Sequence, residues 1–510
     1  MHALKITRAE DFPEWYQAIV READLAELSP TRGCMIIKPW GYGIWERIQG
    51  ELDRRIKETG HDNYYFPLLI PMSFIAKEAD HVEGFAKEMA VVTHHRLKAI
   101  DGTLKPDPEA ELAEPFIIRP TSETIIGDAF SRWVKSYRDL PLKLNQWANV
   151  MRWEMRTRMF LRTAEFLWQE GHTAHVDEAD AMAETMVALE IYRSFAEDYL
   201  ALPVVAGEKP ENERFPGAER TYSIEAMMQD GKALQAGTSH YLGTHFAEAQ
   251  NIRYQDKEGG QTLAHTTSWG VSTRLIGGVI MTHGDDDGLR TPPAIAPRQV
   301  VIVPMLRGKP EDEELKAYCG ALAQELGGLT AFSERVRALV DTKDAKPADK
   351  RWDWVRRGAP IICEIGPRDA ANGQVSFIKR IALREGEKIK THTLPRAEFV
   401  AAVTGILAET QSALYTEAKA RLDGNISDGF GTFADLERYF GADDEGGGFK
   451  GWARVCWSKP TGEALEKVGE RLKALKLTIR NAPMAQPSSF KPCIFTGAPG
   501  VEEILIARAY

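Results

Sequence analysis

Long apolar runs are missing from this sequence of 510 residues. A membrane-spanning helix needs about 20 consecutive, mostly apolar residues, so we expect no membrane span. The opening residues 1–5 lack the apolar core of a secretory signal. Cysteine is scarce, with five residues at positions 34, 319, 363, 456 and 493, an odd and scattered set that fits reduced thiols better than a disulfide framework. These absences predict a cytoplasmic protein.

Positive charge is also in deficit, because the formal net charge is -10. This balance excludes a protein that coats nucleic acid by general electrostatic attraction, so any nucleic-acid contact must use a local basic face. The hydrophobic fraction of 43% and the charged fraction of 27% are those of an ordinary globular protein. A chain of this length is expected to form about three domains.

The most unusual stretch that is present covers residues 144–175. Four arginines and three tryptophans interrupt a strand-like apolar frame there. Turn-forming residues 155–161 separate two β-type runs, which predicts an antiparallel pair with a long loop. Arginine binds phosphate with two hydrogen bonds and keeps its proton. A strand pair that carries several arginines therefore suits a polyanionic ligand. The alternative is a solvated hairpin held by ion pairs.

A second candidate site lies where an apolar strand, residues 116–118, runs into the start of a helix. Thr121 and Glu123 follow this strand, and at a strand end facing a cleft they would hold a substrate ammonium group. The alternative is local: Thr121 or Ser122 caps the helix, and Glu123 is favoured in its first turn by the helix dipole.

Two further segments point to a ligand. Residues 234–243 form a strand rich in small polar side chains, which strand interiors rarely tolerate unless something approaches the backbone closely. Arg274 opens an apolar helix over residues 275–282, where an unpaired cation would be costly. Its partner is a bound phosphate or, alternatively, a carboxylate of the core. Residues 64–71 read as an apolar strand limited by prolines, facing either a dimer partner or the core.

A proline-rich linker, residues 291–297, predicts the first domain boundary. Beyond it, buried-type strands at 299–304, 361–365 and 375–378 alternate with helical segments, which predicts a small α/β domain. A long helix over residues 395–421 begins the third unit.

A local basic cluster lies within the second unit, with two tryptophans among its members. RNA contact is the functional interpretation, and a solvated surface is the alternative. Its members are Arg351, Trp352, Trp354, Arg356, Arg357, Arg368, Lys379, Arg380, Arg384, Lys388 and Lys390.

Three motifs, taken in order, resemble the prolyl-tRNA synthetases of the archaeal and eukaryotic-like type. They are the Pro-Thr-Ser-Glu-Thr stretch at 120–124, the Arg-Trp-Glu stretch at 152–154 and the Ser-Thr-Arg helix start at 272–274. The last two match motifs 2 and 3 of this class II aminoacyl-tRNA synthetase family, and residues 64–71 match the end of motif 1 at its dimer interface. The resemblance covers essentially the whole chain. Class I signatures and a Walker A loop are missing, so no competing ATP-binding fold is indicated.

The resemblance implies three domains. They are an α+β catalytic domain with a six-stranded antiparallel sheet over residues 1–290, an α/β anticodon-binding domain over 298–402, and a small α/β C-terminal domain over 403–510. It also implies a homodimer that uses ATP with Mg²⁺ to join L-proline to tRNA(Pro) through a prolyl-adenylate. About 100 residues separate motif 2 from motif 3, too few for the inserted editing domain of the bacterial-type enzymes.

The same resemblance implies the site residues. The expected catalytic residues are Arg152, Glu154 and Arg274. The residues expected to bind proline are Thr121, Glu123, Arg152, Phe85, Phe166, Trp168, Glu170, His172, His240, Ser268 and Gly270. The residues expected to bind ATP are Arg152, Glu154, Arg162, Thr163, Gln235, Thr238, Ser272 and Arg274.

The sequence departs from the family pattern at the C-terminal zinc site. Only Cys456 and Cys493 lie in that region, and Thr496 resembles a lost ligand. Because a structural zinc site needs four ligands, we predict no bound zinc.

A second departure lies in the anticodon-binding domain, where Val355 and Ile362 stand in place of a glutamate and an arginine that read the anticodon in relatives. Anticodon recognition is therefore expected at Arg356, Arg357 or Arg368. Two alternatives follow: a paralogue that forms the adenylate but loads something other than tRNA, and a non-catalytic RNA-binding relative. Intact Arg152, Glu154, Arg162 and Arg274 disfavour the second.

Overall fold

The computed structural model describes residues 2–76, 89–310, 312–441 and 450–510. The described helices up to residue 290 are α1 (Phe12–Glu22), α2 (Pro39–Glu58), α3 (Met72–Ala76), α4 (Glu123–Trp133), α5 (Glu178–Asp198), α6 (His245–Gln250) and α7 (Arg274–His283). The described strands of this part are β1 (Ala26–Leu28), β2 (Met35–Ile37), β3 (Asp62–Asn63), β4 (Leu69–Pro71), β5 (Val91–His94), β6 (Leu97–Ile100), β7 (Thr103–Pro106), β8 (Glu111–Ile118), β9 (Leu142–Met151), β10 (Glu165–His175), β11 (Val204–Glu208), β12 (Arg220–Met227), β13 (Ala233–Gly243), β14 (Arg253–Gln255), β15 (Gln261–Leu263) and β16 (His265–Ser272).

An antiparallel sheet lies at the centre of this part, with its strands in the order β11-β12-β13-β16-β10-β9. The short strand β3 adds to β9 in parallel. This arrangement confirms the predicted antiparallel catalytic sheet. Side chains of a strand alternate between its two faces, and on one face Tyr192 and Phe195 of α5 pack with Trp269 and Val271 of β16 in the core. The alternate residues of β10, β13 and β16 therefore point to the opposite face.

The second part of the chain contains a mixed sheet, as the sequence predicts. Its strands are β17 (Val300–Pro304), β18 (Thr330–Ala331), β19 (Glu334–Arg335), β20 (Ala338–Val340), β21 (Ile361–Ile365), β22 (Gln374–Lys379), β23 (Arg384–Glu385), β24 (Lys388–Ile389) and β25 (His392–Pro395), and its helices are α8 (Asp312–Gly327), α9 (Pro347–Arg357) and α10 (Pro367–Ala371). The sheet order is β20-β17-β21-β22-β25, with β17 parallel to both of its neighbours.

The third part begins with the long helix α11 (Arg396–Gly424) and continues with α12 (Phe433–Gly441), α13 (Gly462–Ala474), β26 (Ile426–Ser427), β27 (Trp452–Trp457), β28 (Thr478–Pro483) and β29 (Glu502–Ala507). β28 pairs with β11 through Glu208 and Ala482, so the C-terminal strands extend the catalytic sheet. Among the described residues, no helix combines the length and the apolarity that a membrane crossing requires.

The predicted strand over residues 64–71 is wrong for its first five residues, because only Leu69–Pro71 is a strand. The backbone before it bonds to strand β9 instead: Tyr64 N–H donates to the Asn145 carbonyl at 2.8 Å and Phe66 N–H to the Gln146 side chain at 2.5 Å. The buried Arg119 donates to the Phe66 carbonyl at 2.7 Å. These bonds replace those of a strand ladder.

Candidate active site

Three neighbouring strands place predicted pocket residues in rows across the sheet. β10 and β13 both pair with β16, and residues of one face recur at every second position. The rows are His172–Ser268–His240, then Glu170–Gly270–Thr238, then Trp168–Ser272. Strand register thus brings together side chains that are up to about 100 residues apart in the sequence.

These rows border a cavity of about 250 Å³. The predicted residues that line it are Thr121, Glu123, Arg152, Phe166, Trp168, Glu170, His172, Gln235, Thr238, His240, Ser268, Gly270, Ser272 and Arg274. Predicted residues from both the proline set and the ATP set therefore share one cavity.

The turn before α4 provides the acidic end of the cavity. Ser122 occupies the N-cap position of α4 but makes no capping bond, and its Oγ donates to Glu170 Oε1 at 2.6 Å. The Thr121 hydroxyl donates to the carboxylate of Glu123, and Glu123 is buried. The side-chain cap of the local alternative is therefore wrong, although Glu123 does lie in the first turn of α4 as that alternative expects. The Thr121 and Glu123 side chains line the cavity.

Arg152 follows the end of β9 and contacts the backbone of this acidic turn. Its Nε donates to the Pro120 carbonyl at 3.0 Å, and its guanidinium carbon lies 5.7 Å from the Phe166 ring and 5.5 Å from the Trp168 ring. Burial lowers the pKa of Arg152, while the charges of Glu123 and Glu170 oppose that shift. The two rings contact the face of a half-buried cation.

A hydrogen-bond network fixes Glu170 below the acidic turn. Its Oε1 accepts from Ser122 and, at 2.7 Å, from Gln146 Nε2, and its Oε2 lies 3.0 Å from His172 Nε2. Burial opposes the charged form of His172, but the hydrogen bond and charge of Glu170 outweigh it and raise the pKa of His172. Ser122 and Gln146 were not predicted as site residues, since their role depends on a strand pairing that the sequence does not display.

The pKa of His240 shifts in the opposite direction from that of His172. It is buried beside the hydroxyl of Thr221, 3.0 Å from its Nδ1, and no carboxylate bonds to it among the described residues. Burial lowers the pKa of His240 to about 4. The ring of Phe215 packs on it with 4.7 Å between centroids, so this end of the cavity is neutral and partly aromatic.

The opposite end of the cavity is cationic. Arg274 begins α7 and donates from Nε to the Leu161 carbonyl at 3.2 Å. Burial lowers the pKa of Arg274 to about 10, and the neighbouring cations Arg152 and Arg162 contribute to this lowering. Within the described residues Arg274 makes no ion pair, so the predicted alternative of a core carboxylate partner is wrong.

Three predicted ATP residues lie in the motif 2 loop but outside the cavity lining. Glu154 and Arg162 form an ion pair, and the Arg162 side chain is 64% exposed. Thr163 donates its hydroxyl to the Glu165 carbonyl at 2.8 Å. Phe85, predicted to bind proline, lies outside the described residues.

Several cavity residues escaped the sequence prediction. They are Glu213, Arg214, Phe215, Thr221, Ala236, Gly237, Trp269 and Val271. The first three belong to the loop between β11 and β12. An aromatic residue in a polar loop, such as Phe215, was the available signal, but periodicity does not identify loop residues that fold over a sheet.

Four arginines of the basic cluster predicted for RNA contact, Arg356, Arg357, Arg380 and Arg384, form ion pairs with the catalytic part. Arg380 donates to both carboxylate oxygens of Asp285 at 2.8 and 2.6 Å. Arg384 donates to those of Asp287 at 3.0 and 2.7 Å. These two arginines connect the second part to the turn after α7.

The three predicted anticodon contacts do not form one surface. Arg357 pairs with Asp24 at 3.0 Å and Arg356 with Asp353 at 2.5 Å, both just before β21. Arg368 follows β21 and is exposed. Arg356 and Arg357 therefore lie at the opposite end of this strand from Arg368.

Val355 and Ile362, the two residues of the anticodon-binding part that depart from the family pattern, are fully buried. Trp354 is also buried, and its indole N–H donates to Asp341 at 2.8 Å. These side chains therefore do not contact RNA in this fold, and Trp354 is a core residue rather than a stacking platform.

Comparisons with known families agree with this geometry. Residues 107–283 match the family model described as the tRNA synthetase class II core domain (G, H, P, S and T). Residues 299–406 match the anticodon binding domain. Together with the antiparallel sheet and its arginine-lined cavity, these matches define a class II aminoacyl-tRNA synthetase.

Relatives that match over the whole length of this chain identify its family within the class II synthetases. The chain is 64% identical to the proline–tRNA ligase of Sphingopyxis alaskensis over 100% of this chain and 96% of the relative. It is 63% identical to that of Novosphingobium aromaticivorans and 62% identical to that of Sphingomonas elodea, over 100% of this chain and 99% of each relative. The chain belongs to the proline–tRNA ligase family.

Proposed function

We propose that this chain activates L-proline with ATP to prolyl-adenylate and transfers the prolyl group to tRNA(Pro), releasing pyrophosphate and AMP. The observation that supports this most directly is that Glu123 and Arg152 line one cavity. A carboxylate binds an ammonium group, and the guanidinium of an arginine binds carboxylates and phosphates through two parallel hydrogen bonds. An amino acid placed between them would present its carboxylate towards the cationic end.

In the first step, Thr121 and Glu123 hold the imino group of proline, while Arg152 holds its carboxylate against the α-phosphate of ATP. A carboxylate oxygen attacks the α-phosphorus in line, and the bond to the pyrophosphate oxygen breaks. Arg274 stabilises the charge that develops on the phosphates. Positioning and electrostatic stabilisation supply most of the rate in such a reaction.

In the second step, a hydroxyl of the terminal ribose of tRNA attacks the prolyl carbonyl carbon, and AMP leaves with the electron pair of the broken acyl-phosphate bond. We propose that the remaining residues divide between the two ends of the cavity. Phe85, Phe166, Trp168, Glu170, His172, His240, Ser268 and Gly270 would shape the proline pocket, and Glu154, Arg162, Thr163, Gln235, Thr238 and Ser272 would hold ATP.

Selectivity for proline is proposed to come from aromatic side chains. Phe166 and Trp168 are half-buried beside Arg152, and Phe215 packs on the neutral ring of His240. Apolar walls of this kind favour a saturated ring over the hydroxyl of serine or threonine.

Mg²⁺ is proposed to arrive with ATP. The described residues contain no group of three or more His, Cys, Asp and Glu side chains arranged to hold a metal ion. Mg²⁺ commonly takes phosphate oxygens and waters with only one or two protein carboxylates, so the phosphates would supply most of its ligands.

We propose that the chain is of the archaeal and eukaryotic-like type without an inserted editing domain. Residues between β10 and β16 belong to α5, α6 and strands of the catalytic part, including β11, β12 and β13. The three-domain division into residues 1–290, 298–402 and 403–510 is proposed as well. Its second boundary falls inside α11, whose residues Phe399, Val403 and Leu407 pack with the second part.

A homodimer is proposed from an exposed apolar surface. Tyr65 is 75% exposed, and Leu69, Met72 and Trp133 are also exposed, near the end of motif 1. Exposed large apolar side chains are characteristic of protein interfaces when they form a patch. We also propose a cytoplasmic location, where tRNA and ATP are available.

Charging of purified tRNA(Pro) with labelled proline tests the function. We expect both ATP–pyrophosphate exchange that depends on proline and transfer of proline to tRNA. Exchange without transfer would favour the adenylate-forming paralogue, a second candidate that the buried Val355 and Ile362 support. Absence of exchange would contradict both.

A further inference from the structure

A buried charged cluster lies beside the ATP end of the cavity, and none of its members belongs to the sets that bind proline or ATP. Its centre is Glu225 of β12, which is fully buried. Lys209 and Arg480 contact it and are only 3% and 6% exposed. Burying charges is costly unless they are paired, so three such groups in one place need a reason.

Arg480 and Lys209 each contact a different carboxylate oxygen of Glu225. Glu225 Oε2 accepts from Arg480 Nε at 3.1 Å and from Nη2 at 2.8 Å. Glu225 Oε1 lies 3.0 Å from Lys209 Nζ and accepts from the Ser223 hydroxyl at 2.9 Å. Arginine's planar fork makes the first contact geometrically specific.

Arg480 enters from the C-terminal part of the chain. It lies on β28, which pairs with β11 of the catalytic sheet. The neighbouring Asn481 donates from its side chain to the Val205 carbonyl at 3.0 Å. The position of Arg480 is therefore fixed relative to the sheet, and 255 residues separate it from Glu225 in the sequence.

Glu225 holds the strand pair that carries the ATP contacts. It faces Gln235 of β13, while its neighbour Ile224 faces Gly237, so Ala236 is the extra residue of a β-bulge. Gln235, Ala236 and Gly237 all line the cavity. β-Bulges next to active sites change the direction of side chains. This bulge lies opposite Glu225.

The cluster also contributes to the charge around Arg274. Burial and the neighbouring Arg152 and Arg162 act most strongly on the pKa of Arg274, and Glu225 and Arg480 are the further charges that act on it. Arg274, Lys209 and Arg480 lie near the carboxylates of Glu225 and Glu213, and three cations with two carboxylates leave surplus positive charge in a poorly solvated region. An ATP triphosphate with its Mg²⁺ carries negative charge that would compensate it.

We propose that Arg480 is a positioning residue for ATP, which acts through Glu225 by fixing the β12–β13 bulge at Gln235 and by adding to the positive charge around Arg274. This inference rests on the proposed function. It assigns to the C-terminal part a role in nucleotide binding that is separate from tRNA binding.

The test compares full-length Arg480→Met with a matched control, Arg454→Met, in proline-dependent ATP–pyrophosphate exchange. Arg454 lies on β27 of the same part and is 4.0 Å from Glu503. We expect Arg480→Met to raise the KM for ATP by about tenfold to a hundredfold, as displacement of substrate contacts does, with the KM for proline changed far less. Arg454→Met should leave both KM values unchanged.

Two further variants separate positioning from general damage. Arg480→Lys keeps the charge but loses the two-point grip, so its KM for ATP should lie between those of the wild type and Arg480→Met. If Arg480→Met does not fold, the KM of Arg480→Lys for ATP tests the inference in its place. Glu225→Gln combined with Arg480→Met should cost less than the two single changes together, because both act through one contact.

A wild-type KM for ATP in folded Arg480→Lys, or equal increases in the KM for ATP and for proline in Arg480→Met, would overturn the inference. So would identical behaviour of Arg480→Met and Arg454→Met. If the wild-type protein itself shows no exchange, the proposed function fails, and that result is distinct from a failure confined to Arg480.

Discussion

The arginines of the cavity and those of the boundary between the first and second parts differ in what they bind. Arg274 is half-buried and donates to a backbone carbonyl, without an ion pair among the described residues. Arg380 is fully buried and donates to both oxygens of Asp285. The charge of Arg380 is compensated by its carboxylate partner, whereas Arg274, held by a backbone dipole, retains charge for a ligand. Pairing with a carboxylate, rather than clustering in the sequence, distinguishes Arg380 from Arg274.

Removing a binding arginine should have the largest effect on activity. We expect Arg152→Ala to reduce proline-dependent exchange by at least about a hundredfold, since loss of one well-aimed donor costs about 2.7 to 4 kcal/mol of transition-state stabilisation. The fold should persist, as measured by circular dichroism and thermal unfolding. A folded variant that keeps its exchange activity would refute the shared role of Arg152 in binding proline and ATP.

Removing a structural arginine should instead lower stability. Arg380→Met leaves Asp285 without its partner, and breaking a buried pair typically costs about 3 to 5 kcal/mol. Because the Asp285 side chain is 25% exposed, we expect about 3 kcal/mol in chemical denaturation, near the lower limit of that range. Arg368→Met, at an exposed position, is the control and should change stability by less than about 0.5 kcal/mol. Equal stabilities of the two variants would contradict the distinction.

The two cavity histidines also differ in whether a carboxylate contacts them, and their pKa values report that difference. His172 bonds to Glu170, so its pKa in the folded protein is raised, and this pair adds stability that is fully present below the unfolded value of about 6.5. That stability is lost as pH rises through the raised pKa. Glu170→Gln should therefore destabilise the protein more at pH 6 than at pH 8. Each tenfold loss of proton affinity at His172 would correspond to about 1.4 kcal/mol of this difference.

Ring titration by NMR checks both histidines directly. His172 should titrate above 6.5 in the wild type and at lower pH in Glu170→Gln. His240 should titrate near pH 4 in both proteins, because its pKa is set mainly by burial. A wild-type His172 that titrates below 6.5 would show that burial outweighs the carboxylate.

The smallest effect is expected for tRNA recognition. Arg368→Ala should raise the KM for tRNA(Pro) by about fivefold or more, since a single contact to a base is worth about 1 to 3 kcal/mol, and exchange without tRNA should be unaffected. Arg357→Ala is the matched control, because Arg357 already pairs with Asp24. A larger tRNA effect at Arg357 than at Arg368 would reverse our assignment of the two residues.

Much of the site was predictable because its residues recur in short motifs. Thr121, Glu123, Arg152 and Arg274 each stand beside a clear strand end or helix start, and the structure brings all four to one cavity. The resemblance to the synthetase family likewise implied the alternate residues of β10 that line the cavity. The loop residue Phe215 and the supporting Gln146 were missed, because loop closure and cross-strand support leave no local periodic signal.

The sequence by itself determined the order of the strands and helices in most of the chain, the family, and the motifs that supply the chemistry. Alternation of side chains and the local preferences of strand and helix ends are short-range properties, so a linear reading captures them. Only the tertiary structure decided which charges are paired. Arg380 meets Asp285 across 95 residues and Arg480 meets Glu225 across 255, and such contacts depend on how separate parts of the chain pack together.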